Sequence, residues 1–208
     1  MARESSVQKL ERMTVIEKRL TEEAGRNILI AGIDEVGRGP LAGPVVTACV
    51  CLPLSELIPG IDDSKKLSEK KREELYPQII ERAAYAKTAW IWQDEIDEIN
   101  ILNATKKAME ACASGFAGDV ILVDAVSGLK LPCRYESIIK GDAKSYMIAA
   151  ASIVAKVERD RYMKEMDEKY PEYGFASNKG YGTQEHIEAL KRSGPCELHR
   201  RSFIKNLI

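Results

Sequence analysis

Five short apolar runs, separated by stretches of helical spacing, set the plan of this chain. ILIAGID (residues 28–34) is almost continuously apolar and ends in charge, as a strand buried on both faces does. VVTACVCL (45–52) repeats that signature, 83–92 alternates like a third strand, DVILVD (119–124) makes a fourth and 135–139 a short fifth. Between them lie helical segments. Ser68 caps a run over 69–81 that Pro77 is expected to kink or split. A second runs from Asp94 to about Ser114. A third, from Ala143 to about Lys169, carries Tyr146, Ala150, Ile153, Val154 and Val157 on one face, and its apolar stripe slips near 158–161, which predicts a bend. A last helix starts after Thr183 and stops at Gly194-Pro195. Residues 1–26 form a helical lead-in, with Val7, Leu10, Met13, Ile16 and Leu20 near helical period and a stop at Gly25. It is too short to bury a core and reads as an appended segment, with residues 27–208 as the main domain. Strands followed by alternating helix and strand predict an α/β fold: a mixed central sheet flanked by helices, with a C-terminal helical portion.

At 208 residues, 45% hydrophobic and 30% charged, the composition is that of one soluble globular domain. No apolar run is long enough to cross a bilayer and the charged N-terminus lacks a signal stretch, so a cytoplasmic protein without membrane association is expected. The five cysteines are odd in number and form no C-x-x-C pair, which argues against a disulfide framework. With only His186 and His199 available, a His/Cys zinc site is not expected, and any metal should be a hard cation on oxygen ligands. The net charge of −1 gives no basic footprint. Residues 191–205, however, hold Lys191, Arg192, His199, Arg200, Arg201 and Lys205 against Glu197 alone, either a phosphate-facing strip or a solvated tail.

The candidate chemistry begins at DEVGRGPLAGP, residues 34–44. Two adjacent acids end a buried run, and glycines and prolines then force an irregular backbone that a ligand can approach closely. Neighbouring residues of a regular strand face opposite ways, so Asp34 and Glu35 share one site only if the strand ends at or before Glu35. Asp124 ends another buried run. Asp142 follows Gly141 ahead of a helix, as an N-cap or as a site acid. Acids at several strand ends suit a divalent cation site, because bound cations remove their mutual repulsion. Two such ions activate a water and stabilise the leaving oxygen of an in-line phosphoryl displacement.

DEVGRGPLAGPV (34–45), DDSKKLS (62–68), KGDAKS (140–145), IAAASIVAKVERDR (148–161), YPEYGFASNKGYGT (170–183) and HRRSF (199–203) resemble, in order, the motifs of ribonuclease HII. The likeness spans nearly everything after the lead-in. It implies that the family's four catalytic, metal-binding acids fall on Asp34, Glu35, Asp124 and Asp142, with Mn²⁺ or Mg²⁺ as cofactor. It also implies that Gly37, Arg38 and Gly39 contact 2′-hydroxyls around the scissile phosphate, the group that separates RNA from DNA. The family's substrate-sensing tyrosine falls on Tyr181, where an aromatic ring is otherwise a packed or half-exposed residue. Arg38, where the related ribonuclease HIII has lysine, and the short lead-in favour type HII.

The implied partners are RNA–DNA hybrids and DNA with embedded ribonucleotides, and a monomer is expected. Cleavage would fall 5′ of a ribonucleotide, leaving 5′-phosphate and 3′-hydroxyl ends, by a two-metal mechanism, in the service of ribonucleotide excision repair. A DNA-directed nuclease or transferase with the same carboxylate–metal logic is the rival reading. Lys144 and Arg200 are the basic residues assigned to substrate. Lys65, Lys66, Lys179 and Arg201 face either phosphate or solvent, and Ser145 and Ser152 are assigned to packing of the long helix. Three departures from the family pattern stand out: Ala125 in place of glycine, Asn178 in place of histidine, and Lys205-Asn206 in place of a proline.

Overall fold

The structure is a computed structural model that describes residues 6–208, with side chains from Gln8 onward; residues 1–5 and the Val7 side chain of the expected lead-in stripe lie outside the described part. Five strands form one sheet: β1 (Ile30–Val36), β2 (Val45–Cys51), β3 (Tyr85–Ile91), β4 (Val120–Asp124) and β5 (Arg134–Ile138). Their order is β3-β2-β1-β4-β5. β1–β2 and β2–β3 are antiparallel, while β1–β4 and β4–β5 are parallel, so the expected mixed sheet is observed. The helices among the described residues are α1 (Ser6–Met13), α2 (Val15–Ala24), α3 (Glu69–Arg82), α4 (Gln93–Ala113), α5 (Tyr146–Lys169), α6 (Phe175–Asn178), α7 (Gln184–Ser193) and α8 (Arg201–Ile204).

The sheet is buried on both faces. Ile30, Val46, Ala48, Val50, Val120 and Leu122 pack under α5 and α3. Ala31, Ile33, Cys49, Ile121 and Val123 pack against Met109, Cys112 and Ala113 of α4. The lead-in is two helices, not one, broken at Thr14 and ended by Gly25 at φ 63°. Met13 and Leu20 are buried in the same cluster as α5, each burial stabilising by about 1.5–3 kcal/mol.

Two expected irregularities resolve differently, and a third appears where none is expected. α3 runs through Pro77, which lies on its exposed side, where the carbonyl one turn earlier that loses its N–H partner is not enclosed by the core. α4 is interrupted instead: Asn100 has φ 66° and ψ 162°, and its Oδ1 accepts from the N–H groups of Leu102 and Asn103 at 3.1 Å, capping a second helical segment. α5 continues without a break through 158–161. Its apolar stripe slips there because Arg159 and Asp160 point inward, buried and fully partnered.

Candidate active site

Alternation along β1 sends Ile30, Gly32 and Asp34 toward α5, and Ala31, Ile33 and Glu35 toward α4. The parallel register pairs Ile33 with Val123, so the next positions, Asp34 and Asp124, emerge side by side. Gly32 decides what reaches them. A Cβ there would lie 2.1 Å from the carbonyl carbon of Met147, so only glycine lets the first turn of α5 rest directly on β1. That contact carries the short 3₁₀ turn Gly141–Ala143, and Asp142 with it, to the strand ends. The N-cap of α5 is Ser145, whose Oγ accepts from Ile148 N at 3.2 Å, which leaves Asp142 free of that duty. Asp34, Asp124 and Asp142 each offer a carboxylate oxygen within 4.8 Å of the others. Gly141 N–H donates to Asp124 Oδ1 at 2.7 Å, and Lys65 Nζ lies 3.2 Å from Asp142 Oδ2.

Glu35 does not join this trio. β1 does not end before it but runs to Val36, paired to β2 as Glu35↔Thr47 and Val36↔Val46, so Glu35 leaves β1 on the opposite face from Asp34, outside the 4.8 Å set yet within electrostatic reach of Asp34 and Asp124. Its Oε1 stands 3.5 Å from Arg38 Nη1, and its Oε2 is buried with no hydrogen-bond partner. Burial, then the Glu35 and Asp124 charges, hold the Asp34 carboxyl well above the usual range. Burial also raises Glu35 against the pull of Arg38, and raises Asp124 against the Gly141 N–H bond. Burial would lower Lys65, but Asp142, with Asp34 and Asp63 behind it, offsets that and the ammonium is held up. Three converging carboxylates, of which Asp34 and Asp124 are held back from ionising, with an orphaned carboxylate oxygen of Glu35 near them, are the donor set a hard divalent cation takes.

Past Val36 the chain turns sharply, with Gly37 at φ 91° and Gly43 at φ 84°. Two buried arginines hold this turn. Arg200 donates to the carbonyls of Gly37, Arg38 and Gly43 at 2.5–3.0 Å. Arg159 donates to Pro44, Ala42 and Lys179 at 2.9–3.1 Å. Arg38 and Gly39 stay exposed at the tip. The Tyr181 ring stands over that tip, 42% exposed, its Cε1 3.7 Å from where a Gly39 Cβ would be. Ala125, Lys140 and Lys179 all have positive φ (47°, 57° and 52°), and each stands within two residues of Asp124, Asp142 or Tyr181. Backbone of this kind costs of order 1–3 kcal/mol and collects at functional sites.

Residues 31–206 match the family described as Ribonuclease HII. The chain belongs to the ribonuclease HII family. It is 53% identical to "Ribonuclease HII" of Caldanaerobacter subterraneus subsp. tengcongensis, over 99% of this chain and 85% of that one. Among solved structures it is similar to ribonuclease H2 from Pyrococcus horikoshii OT3 (TM-score 0.74, 27% identity, 86% of this chain and 96% of that one). It is similar also to RNase HII in the PCNA:RNase HII complex from Archaeoglobus fulgidus (TM-score 0.72, 30% identity, the same coverage). The chain is therefore a type 2 ribonuclease H, an enzyme with the ribonuclease H-like fold, of a family that cleaves the RNA of RNA–DNA hybrids.

The other sequence-picked residues scatter. Arg200 is fully buried, its guanidinium N–H groups spent on loop carbonyls, so it shapes the turn and does not face a phosphate. Lys179 is buried too, with Nζ on the Ala176 carbonyl. Lys144 is exposed and flanks Arg12, Val15 and Ile16; Lys65, not Lys144, is the lysine that meets Asp142. Lys66 and Arg201 are exposed. The basic stretch 191–205 is thus neither strip nor tail throughout, since His199 and Arg200 are interior. Ser152 does more than pack: its Oγ accepts from Ser64 N at 3.3 Å and so fixes the turn that carries Lys65. Sequence reasoning gave Arg159 no role; the slip in the α5 stripe was its signal.

Proposed function

We propose that this chain cuts the RNA strand of RNA–DNA hybrids and also cuts 5′ of ribonucleotides embedded in duplex DNA. In this reading Asp34, Glu35, Asp124 and Asp142 hold two divalent cations, Mn²⁺ or Mg²⁺, and the products carry 5′-phosphate and 3′-hydroxyl ends. The observation that supports it most is the convergence of Asp34, Asp124 and Asp142 on one face of the sheet ends, within reach of a single ion. When bound, such cations supply Lewis acidity toward an attacking water and neutralise charge at the leaving oxygen.

The protein's own groups supply the rest. Asp34 and Asp124 project from rigid strands, and Asp142 is held at its place by the Gly32–Met147 approach. Lys65, beside Asp142, is the nearest protein cation to a phosphate arriving there. The exposed Arg38–Gly39 tip offers backbone without side-chain obstruction, the feature a 2′-hydroxyl reader needs. Tyr181 presents its ring where the sugar after the ribonucleotide would lie. The cellular role that follows is removal of ribonucleotides from DNA.

The test is cleavage of an end-labelled duplex with one embedded ribonucleotide, beside a long hybrid and an all-DNA duplex, in Mg²⁺, Mn²⁺ and EDTA. Metal-dependent cuts on the first two and none on the third are expected. Cutting of all-DNA alone, or unabated cutting in EDTA, would overturn the reading.

A further inference from the structure

His186 and His199, the two histidines of the sequence, meet in the interior of the C-terminal portion, both at most 1% exposed. Their Nε2 atoms are 3.0 Å apart, walled by Tyr173 and Phe175. At the outer end, Cys196 N–H lies 3.1 Å from His199 Nδ1, and Cys196 Sγ is 3.2 Å from the same nitrogen. At the inner end, His186 Nδ1 is 2.8 Å from the carbonyl oxygen of Tyr181. The set is not a chelate, because Cys196 and His186 address opposite nitrogens of His199.

The backbone fixes where each proton sits. A peptide N–H can only donate, so His199 Nδ1 is the acceptor and the neutral ring carries its proton on Nε2. That proton points at His186 Nε2, which therefore accepts, and His186 must carry its own proton on Nδ1. A carbonyl can only accept, and Tyr181 receives that proton. Any other arrangement leaves a buried donor or acceptor unpaired, at about 1–3 kcal/mol. Burial first, and then the partner histidine and Arg201 in the case of His199, hold both rings toward the neutral form this chain of bonds requires.

We propose that His186 and His199 are positioning residues that hold Tyr181 against the Gly37–Gly39 turn, one directed hydrogen-bond relay running from Cys196 N–H to the Tyr181 carbonyl. The neighbouring Arg200 grips the other half, through the carbonyls of Gly37, Arg38 and Gly43. Two consecutive residues thus fix the ring and the turn it stands over. Tyr181 is tied on its other side by its N–H to Asn178 O at 2.9 Å, and its carbonyl also accepts from Thr183 N–H at 2.8 Å, so loss of the relay removes one of two holds on that carbonyl and loosens the residue while the fold stays closed. The proposal rests on the reading of Tyr181 as a substrate contact.

Two measurements decide it. Long-range ¹H–¹⁵N correlation spectra of the imidazoles in the wild-type chain at neutral pH need no variant, and two histidines give an unambiguous pattern. One Nε2–H ring (His199) and one Nδ1–H ring (His186) are expected; two rings of the same tautomer, or a cationic ring, would overturn the relay. The second is the ratio of cleavage at a single embedded ribonucleotide to cleavage of a long hybrid, with melting temperature as the control for folding. His186→Phe should lower that ratio about tenfold, as a displaced contact residue does. His186→Asn, whose amide N–H takes the place of Nδ1–H, should restore most of it. Tyr181→Ala marks the parent reading: an unchanged ratio there removes both that reading and the relay's purpose. A lowered ratio in Tyr181→Ala with an unchanged one in His186→Phe removes the relay alone.

Discussion

At Asp34, burial and the adjacent Glu35 and Asp124 all oppose negative charge. Asn keeps the shape and removes the charge, so Asp34→Asn should do two opposite things. Hydrolysis of a hybrid should fall by roughly a hundredfold or more, the loss of about 2.7 kcal/mol of transition-state stabilisation. The metal-free melting temperature should rise, by roughly 2–4 °C for a change near 1 kcal/mol in a chain of this size. A variant that is both inactive and less stable would mean that the acid is structural. Ala125 makes a second residue-scale case. It stands at φ 47° directly after Asp124, where the family resemblance already marks a departure from glycine. Ala125→Gly should gain a few tenths to about 1 kcal/mol in denaturant unfolding, the relief of a left-handed conformation less the added freedom of the unfolded chain.

Among the elements, the lead-in helices turn out to be part of the site's support. Glu17 of α2 is buried, and its Oε1 accepts from Ser145 Oγ at 2.6 Å and from Met147 N at 3.1 Å, at the start of α5. The turn bearing Asp142 lies three residues upstream of Ser145. Glu17→Ala should cost about 1–3 kcal/mol in denaturant unfolding, since it strips an anion from a helix N-terminus and leaves buried donors unpaired. Amide exchange at residues 141–148 should quicken with it, and loss of stability without that local change would assign Glu17 to packing alone. The same scale explains an omission. The amphipathic pattern identified the lead-in as helix but gave Glu17 no role, because its partners lie more than 120 residues away.

For the whole molecule, the buried histidine pair sets a pH dependence of stability. His199 is lowered to about 4 by burial, with His186 and Arg201 adding to the effect; the Cys196 N–H donates to its Nδ1, which also favours the neutral ring, and Tyr173 packs beside it. His186 is lowered too, by burial. In the unfolded chain both rings take a proton near 6.5; the folded chain withholds it. The unfolded state therefore binds more protons between about 4 and 6.5, and stability should fall as pH drops through that window, by up to about 1.4 kcal/mol per pH unit for each ring. Urea unfolding across this range should show a shallower slope for His199→Gln than for the wild type; equal slopes would refute the assignment.

The strands, the mixed sheet and the strand-end places of Asp34, Glu35 and Asp124 were legible because burial on both faces and charge at run ends are written locally, one residue after another. Membership of the ribonuclease HII family was legible too, since ordered motifs survive without any three-dimensional knowledge. Which acids converge was not. That depends on the Ile33↔Val123 register, on β1 extending to Val36, and on Gly32 admitting a helix, all relations between segments remote in sequence. Likewise Arg159 has no assigned role in the sequence, Arg200 reads as a substrate contact, and His186 and His199 are only too few for a zinc site, until the fold closes around them. A polar side chain is interior only when distant backbone carbonyls and N–H groups arrive to satisfy it, and only tertiary structure brings them.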